Sequence, residues 1–129
     1  MQNLADISMF ESIQNKAHQS MGFASLFVFN ATFKVIDKKK ADTNKQNIEK
    51  RKPVFIEEEK FLIKTKPEFQ KKKREIEKLE KAGQFPRSLI VDYSNLRIKR
   101  IGCRSNLRHW IKEFKEWGII ATSTELDDD

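Results

Sequence analysis

Arg97, Lys99, Arg100, Arg104, Arg108 and Lys112 crowd one stretch of this chain, with Lys115 just beyond and few carboxylates interleaved. An arginine presents a planar fork of donors that matches phosphate oxygens, so a cluster this rich in arginine points to phosphate binding more strongly than the same number of lysines. Lys38, Lys39 and Lys40, and then Lys50, Arg51 and Lys52, repeat the sign earlier in the chain. The chemistry implied is electrostatic capture of a polyanion. Contacts of this kind fix position and carry little base information.

Other chemistries find no residues to perform them. No glycine loop of nucleotide-binding spacing, no metal-ligand spacing and no nucleophile beside a base can be found. Cys103 and His109 are too few for a structural zinc site, which takes about four ligands. Cys103 reads as a small turn residue and His109 as a surface or phosphate-side group on the long helix. No catalytic residue, metal, cofactor or small-molecule substrate is expected.

The arginines need a scaffold, and residues 104–117 supply the clearest one. Leu107, Trp110, Ile111, Phe114 and Trp117 recur at helical steps and define a face to bury; Arg104, Arg108, Lys112 and Lys115 define an adjoining face to present. Gly118 closes that helix, and the β-branched run after it reads as a strand. Upstream, Thr65 and Glu68 form a capping box with Pro67 in the first turn, which predicts a helix ending at Gly83. Leu62, Phe69 and Ile76 hint at a heptad, but Thr65 and Lys72 hold the alternating positions and argue against a coiled coil. Residues 88–91 read as a short strand, Asp92 as the cap of a short helix bearing Tyr93, Leu96 and Arg100, and Gly102 as a turn. Residues 54–64 fit a short strand or a helical turn equally. The resulting order is helix, strand, helix, turn, helix, strand, that of a winged helix-turn-helix in an α+β, mostly α class.

Composition divides the chain. Residues 37–117 hold 24 Lys and Arg against 13 Asp and Glu, whereas residues 1–36 balance and Asp127, Asp128 and Asp129 close an acidic end. Residues 4–21 place Leu4, Ile7, Phe10, Ile13, Ala17 and Met21 at helical steps, and residues 23–36 are aromatic and β-branched enough to be extended. Residues 37–53 have Ile48 as their one sizeable apolar side chain, too few to offset ordering entropy. The expected division is an apolar arm over 1–36, a basic disordered linker over 37–53, and a winged-helix domain over 54–129. The single cysteine excludes an internal disulfide, and neither a secretory leader nor a membrane span is visible, so an intracellular protein is expected.

Residues 76–122 resemble a known family. Glu77-Lys78-Leu79 before a loop, Leu89-Ile90 as strand entry, residues 94–99 as a second helix, and Arg108 running through Lys112-Glu113-Phe114 to Gly118-Ile119-Ile120 are similar in order to the winged-helix ribosomal protein numbered twenty-five in the S series of the eukaryotic and archaeal small subunit. The resemblance implies a non-enzymatic constituent of the ribosome that binds rRNA and touches neighbouring ribosomal proteins. Its setting would be cytoplasmic, with an organellar ribosome as the alternative. The rival readings are a DNA-binding winged-helix regulator or replication protein, and a subunit-interaction protein whose charge is incidental. The residues expected to touch nucleic acid are Arg97, Lys99, Arg100, Arg104, Arg108, Lys112, Lys115, Lys38, Lys39, Lys40 and Arg51.

Overall fold

A computed structural model describes residues 29–129. It contains strand β1 (Thr32–Val35), a short helix α1 (Lys38–Thr43), two long helices α2 (Lys45–Lys81) and α3 (Arg87–Glu116), and strand β2 (Ile119–Thr122). The class is mostly α with a small antiparallel sheet, as expected. Its organisation is a helical hairpin. At 1.5 Å per residue the 37-residue α2 is roughly 55 Å long and the 30-residue α3 roughly 45 Å.

The hairpin turns on Gly83, whose φ of 79° is left-handed. Gly83 N–H donates to the Glu80 carbonyl and Gln84 N–H to that of Leu79, the paired bonds of a Schellman closure. The helices then pack antiparallel along a seam. Ile48, Phe55, Leu62, Phe69 and Ile76 are buried at seven-residue steps on α2, and Arg100, Leu107 and Phe114 at the same steps on α3. Tyr93, one step earlier, stacks on Phe69 with centroids 4.8 Å apart. The heptad hinted at by Leu62, Phe69 and Ile76 is therefore the packed seam, although Thr65 and Lys72 lie off it.

At the open end of the hairpin the two strands cover the seam. Phe33, Phe55 and Phe114 meet edge to face with centroids 5.6, 5.6 and 5.9 Å apart. Phe33 is paired with Ala121 in the register that also sets Val35 against Ile119. Glu59, fully buried on α2, accepts from the Asn30 and Ala31 amides at 2.6 and 2.8 Å and from the Ser123 hydroxyl, which fastens the start of β1 and the exit of β2 to one side chain. Gly118 ends α3 at φ 84°, and its carbonyl accepts from Ile36 and Asp37.

Three expectations are corrected. Residues 37–53 are not a disordered linker: α1 is capped by the Asp37 side chain at Lys40 N–H, and α2 already runs from Lys45. Ala41, Ile48 and Lys52 are buried there, the last using its aliphatic stem with its ammonium 5.3 Å from the Phe33 ring. Residues 29–36 are not a separate arm, because β1 completes the sheet and Phe33 the aromatic trio; the expected helix over 4–21 and the first part of the extended run lie outside the described residues. Finally, the winged helix-turn-helix order is not formed. Residues 88–91, Asp92 and Gly102 all lie within the unbroken α3, and Thr65 and Pro67 lie within α2. The local signals lose to the seam, which keeps helical spacing from Tyr93 through Arg100 and Leu107 to Phe114. A helical glycine costs about 1 kcal/mol and an internal proline about 3 kcal/mol, sums that a long packed face can offset.

Candidate nucleic-acid interface

The expected phosphate-binding residues separate into a buried set and an exposed set. Arg100 and Arg104 occupy the seam of α3 at 1% and 2% exposure and face inward. Arg100 reaches across to α2, donating through Nη1 to the Leu62 carbonyl at 2.7 Å and to Thr65 Oγ1 at 2.6 Å, with its guanidinium carbon 5.2 Å from the Phe69 ring centre. Pro67, which has no N–H to give the Ile63 carbonyl, lies in the following turn of α2.

Both arginines also donate to Asp129. Arg100 grips it with two bonds, Nε to Oδ2 at 2.9 Å and Nη2 to Oδ1 at 2.8 Å, and Arg104 Nη2 also donates to Oδ1. Arg108, further along α3, donates to the Leu126 carbonyl at 2.7 Å and lies 3.5 Å from Asp128. The acidic end is thus laid along the three arginines. Partial burial alone would raise the Asp129 carboxyl, but hydrogen bonds and charge from Arg100, and then Arg104, override it and hold the group below its usual range.

A cavity of about 240 Å³ opens at this point, lined by Lys66, Phe69, Lys73, Arg100 and Arg104 on the helices and by the acidic segment. No family model, curated protein or solved structure matches the chain. The site must be judged on its own chemistry, and that chemistry is oxyanion recognition by converging guanidinium groups.

The exposed set forms two groups. Lys38, Lys39 and Lys40 on α1 meet the far end of α3, where Lys40 packs beside Gly118 and Lys115 and Lys112 are also exposed. Arg51 lies over the Trp110 ring at 4.9 Å, a cation–π contact that leaves its charge at the surface. Arg97 and Lys99 belong to the other group, nearer the hairpin turn. Lys99 shares a shallow groove with Lys72, Glu68 and Asp92, so part of its charge is locally balanced. Arg97, Lys99, Lys112, Lys115, Lys38, Lys39 and Lys40 form no ion pair among the described residues.

Residues that sequence reasoning passed over join the second group. Lys66, Lys71, Lys73, Arg74, Lys78 and Lys81 project from α2 beyond the level of Arg100 and are exposed. Part of their signal lies in the basic run at 71–74. Asp129 was missed as a partner because nothing local connects it to Arg100.

Cys103 is not a turn residue. It is half-buried in α3, where burial, with a smaller contribution from its hydrogen bond to Glu58 and that carboxylate's charge, pushes its thiol up to about 12. His109 is exposed, its ring edge-on to Trp110 at 4.9 Å. Among the described residues no group of three or more side chains is arranged to hold a metal ion, and no helix is long and apolar enough to cross a membrane.

Proposed function

We propose that this chain is a non-enzymatic RNA-binding protein, an rRNA-binding constituent of the small ribosomal subunit that also contacts neighbouring ribosomal proteins, in a cytoplasmic or organellar ribosome. The observation that carries the reading is the disposition of charge on the hairpin. Of the 24 Lys and Arg between residues 37 and 117, Lys52, Arg100 and Arg104 are buried, and the others line the outside of a rod roughly 55 Å long. An extended rigid element with cations along its length suits a folded RNA, whose phosphates approach from several directions. The resemblance over residues 76–122 supports the ribosomal setting. The winged helix it implies is not what those residues form, so the reading rests on charge and shape.

A DNA regulator would need a free helical face to enter a major groove. Such regulators present that face through a helix-turn-helix, and α3 instead runs unbroken along α2, which favours RNA over that reading. The test is binding of the full chain to structured RNA, single-stranded RNA and duplex DNA across a salt series. The expected result is tighter binding to structured RNA, with log affinity falling by about 0.7 to 0.9 per phosphate contact for each unit of log salt. Neutralising Arg97, Lys112 and Lys115 together should flatten that slope by roughly 2 units. Preference for one duplex DNA sequence would refute the proposal, as would cosedimentation with no rRNA at moderate salt.

A further inference from the structure

Two arginines converging on one carboxylate leave the site short of a hydrogen-bond acceptor. Arg100 and Arg104 bring two positive charges into a buried position, and the group they grip, the Asp129 side chain, supplies one negative charge. Nε of Arg104 is buried and has no acceptor among the described residues. A carboxylate is planar, and its two oxygens already take three donors here. A tetrahedral phosphate places oxygens outside that plane, where a further donor can be met. The cavity beside the arginines has room for such a group. Lys66 and Lys73 stand at its rim on α2, exposed and without an ion pair among the described residues, and continue into the exposed basic face of the same helix.

We propose that this cavity is a phosphate-binding site for an RNA backbone, with Asp129 as a carboxylate stand-in that occupies it until RNA displaces the acidic segment. This deepens the RNA-binding reading and rests on it for the source of the phosphate. Arg100 and Arg104 are paired with Asp129, while Glu125, Asp127 and Asp128 share the cavity with Lys66 and Lys73; once the segment leaves, the four cations are left together without carboxylates. Phosphate at Arg100 then lies next to the exposed lysines of α2, so one strand of RNA can run from the cavity onto the hairpin. Bound in this way, the acidic segment acts as an intramolecular competitor: it raises the threshold for binding and suppresses attachment to weaker polyanions.

The experiment compares three full-length proteins: the parent, Asp129→Asn, and the double variant Asp127→Asn/Asp128→Asn, which removes more charge but leaves the gripped carboxylate in place. Thermal melting is recorded in inorganic phosphate and in chloride at matched ionic strength. The expected result is that phosphate raises the melting temperature of Asp129→Asn well above its value in chloride, and does not do so for the other two. If Asp129→Asn is unfolded in chloride, recovery of its helical circular dichroism by phosphate reads the same outcome. Equal behaviour of all three in the two salts overturns the site, whatever the chain binds. In the RNA arm, Asp129→Asn should show a salt slope steeper than the parent by roughly 1 to 2 units, and adding Arg104→Gln should remove the increase. A phosphate response without that increase overturns RNA as the source while the oxyanion site stands; a phosphate response with no RNA binding by any protein overturns the RNA-binding reading itself.

Discussion

Replacing Phe33 with Ala tests whether the strand before the helices belongs to the core. Phe33 is 4% exposed and meets two rings, Phe55 and Phe114, at 5.6 Å each. Removing a buried phenylalanine ring destabilises by about 3 to 5 kcal/mol, of which each edge-to-face pair accounts for about 0.5 to 1.5 kcal/mol. The upper part of that range applies here. The ring is enclosed between both long helices, and the partners it leaves, Phe55 and Phe114, are themselves fully buried, so the cavity has little freedom to collapse. Against a typical total of about 5 to 15 kcal/mol for a domain, the change removes a large share. The assay is urea unfolding followed by far-ultraviolet circular dichroism and by tryptophan fluorescence, since Trp117 packs on Phe114 at 5.7 Å and reports on the same cluster. The two probes should shift together to a lower midpoint. Val91→Ala, at a side chain 51% exposed on α3, provides the comparison and should change stability by under about 0.5 kcal/mol. If Phe33→Ala unfolds within about 1 kcal/mol of the parent, below the ordinary cost of an aromatic deletion, β1 is peripheral and the hairpin stands without it.

Gly102→Ala should stabilise the protein by up to about 1 kcal/mol, because Gly102 is helical and nothing lies within 4 Å of an added Cβ; a loss of stability would mean that the chain turns there. Gly118→Ala should do the opposite and lower the melting temperature sharply, since φ is 84° and a Cβ would sit 2.5 Å from the Asp37 carbonyl oxygen. Arg100 and Arg104 hold the carboxyl of Asp129 below its ordinary value of 3.8, so its contribution to stability is present above that pH and is lost as pH falls through the lower folded value. Acid titration of the parent should therefore show a loss of stability in that window that Asp129→Asn lacks, and superimposable curves would refute the clamp. Cys103, with its thiol pushed up to about 12, should react with a disulfide reagent at pH 8 more slowly in the folded chain than in urea, and equal rates would refute its burial.

The elements that could be read from sequence are those whose local signal and packing role agree. Leu107 and Phe114 are buried where the helical stripe put them, with Trp110, Ile111 and Trp117 packed against the core. Gly83 and Gly118 close helices where a left-handed residue was expected, and β2 covers the β-branched run after Gly118. Local signals misled where packing overrode them. Thr65 resembles a cap because its hydroxyl can bond backbone, and in the helix it does so backward, donating to the Phe61 carbonyl at 2.7 Å while accepting from Arg100. The stretch 37–53 counts as polar because Lys52 is scored by its ammonium, whereas the fold buries the whole side chain and uses its stem.

The candidate site was harder to read for a related reason. Arg100 and Arg104 are expected on an exposed face, because a cation at helical spacing reads as a surface residue and seam positions are sought among apolar side chains, and both are buried. A seam position can hold arginine if every donor finds an acceptor, and such a residue is then a demand placed on the rest of the chain. Arg100 takes a carbonyl and a hydroxyl from α2, and its remaining donors require a carboxylate that the neighbouring helix turns do not offer. The chain has two compact acidic runs, 57–59 on α2 and 127–129 past β2, and the second supplies the carboxylate. An arginine on the heptad that runs through Leu107 and Phe114, together with a short acidic segment past the final strand, therefore forms one joint signal, visible only when the two are considered together. It predicts both the burial of the arginines and the path of the acidic segment back across α3. The same pairing makes the site conditional, because a carboxylate held chiefly by phosphate-type contacts can be exchanged for a phosphate, whereas an apolar residue in the same seam could not.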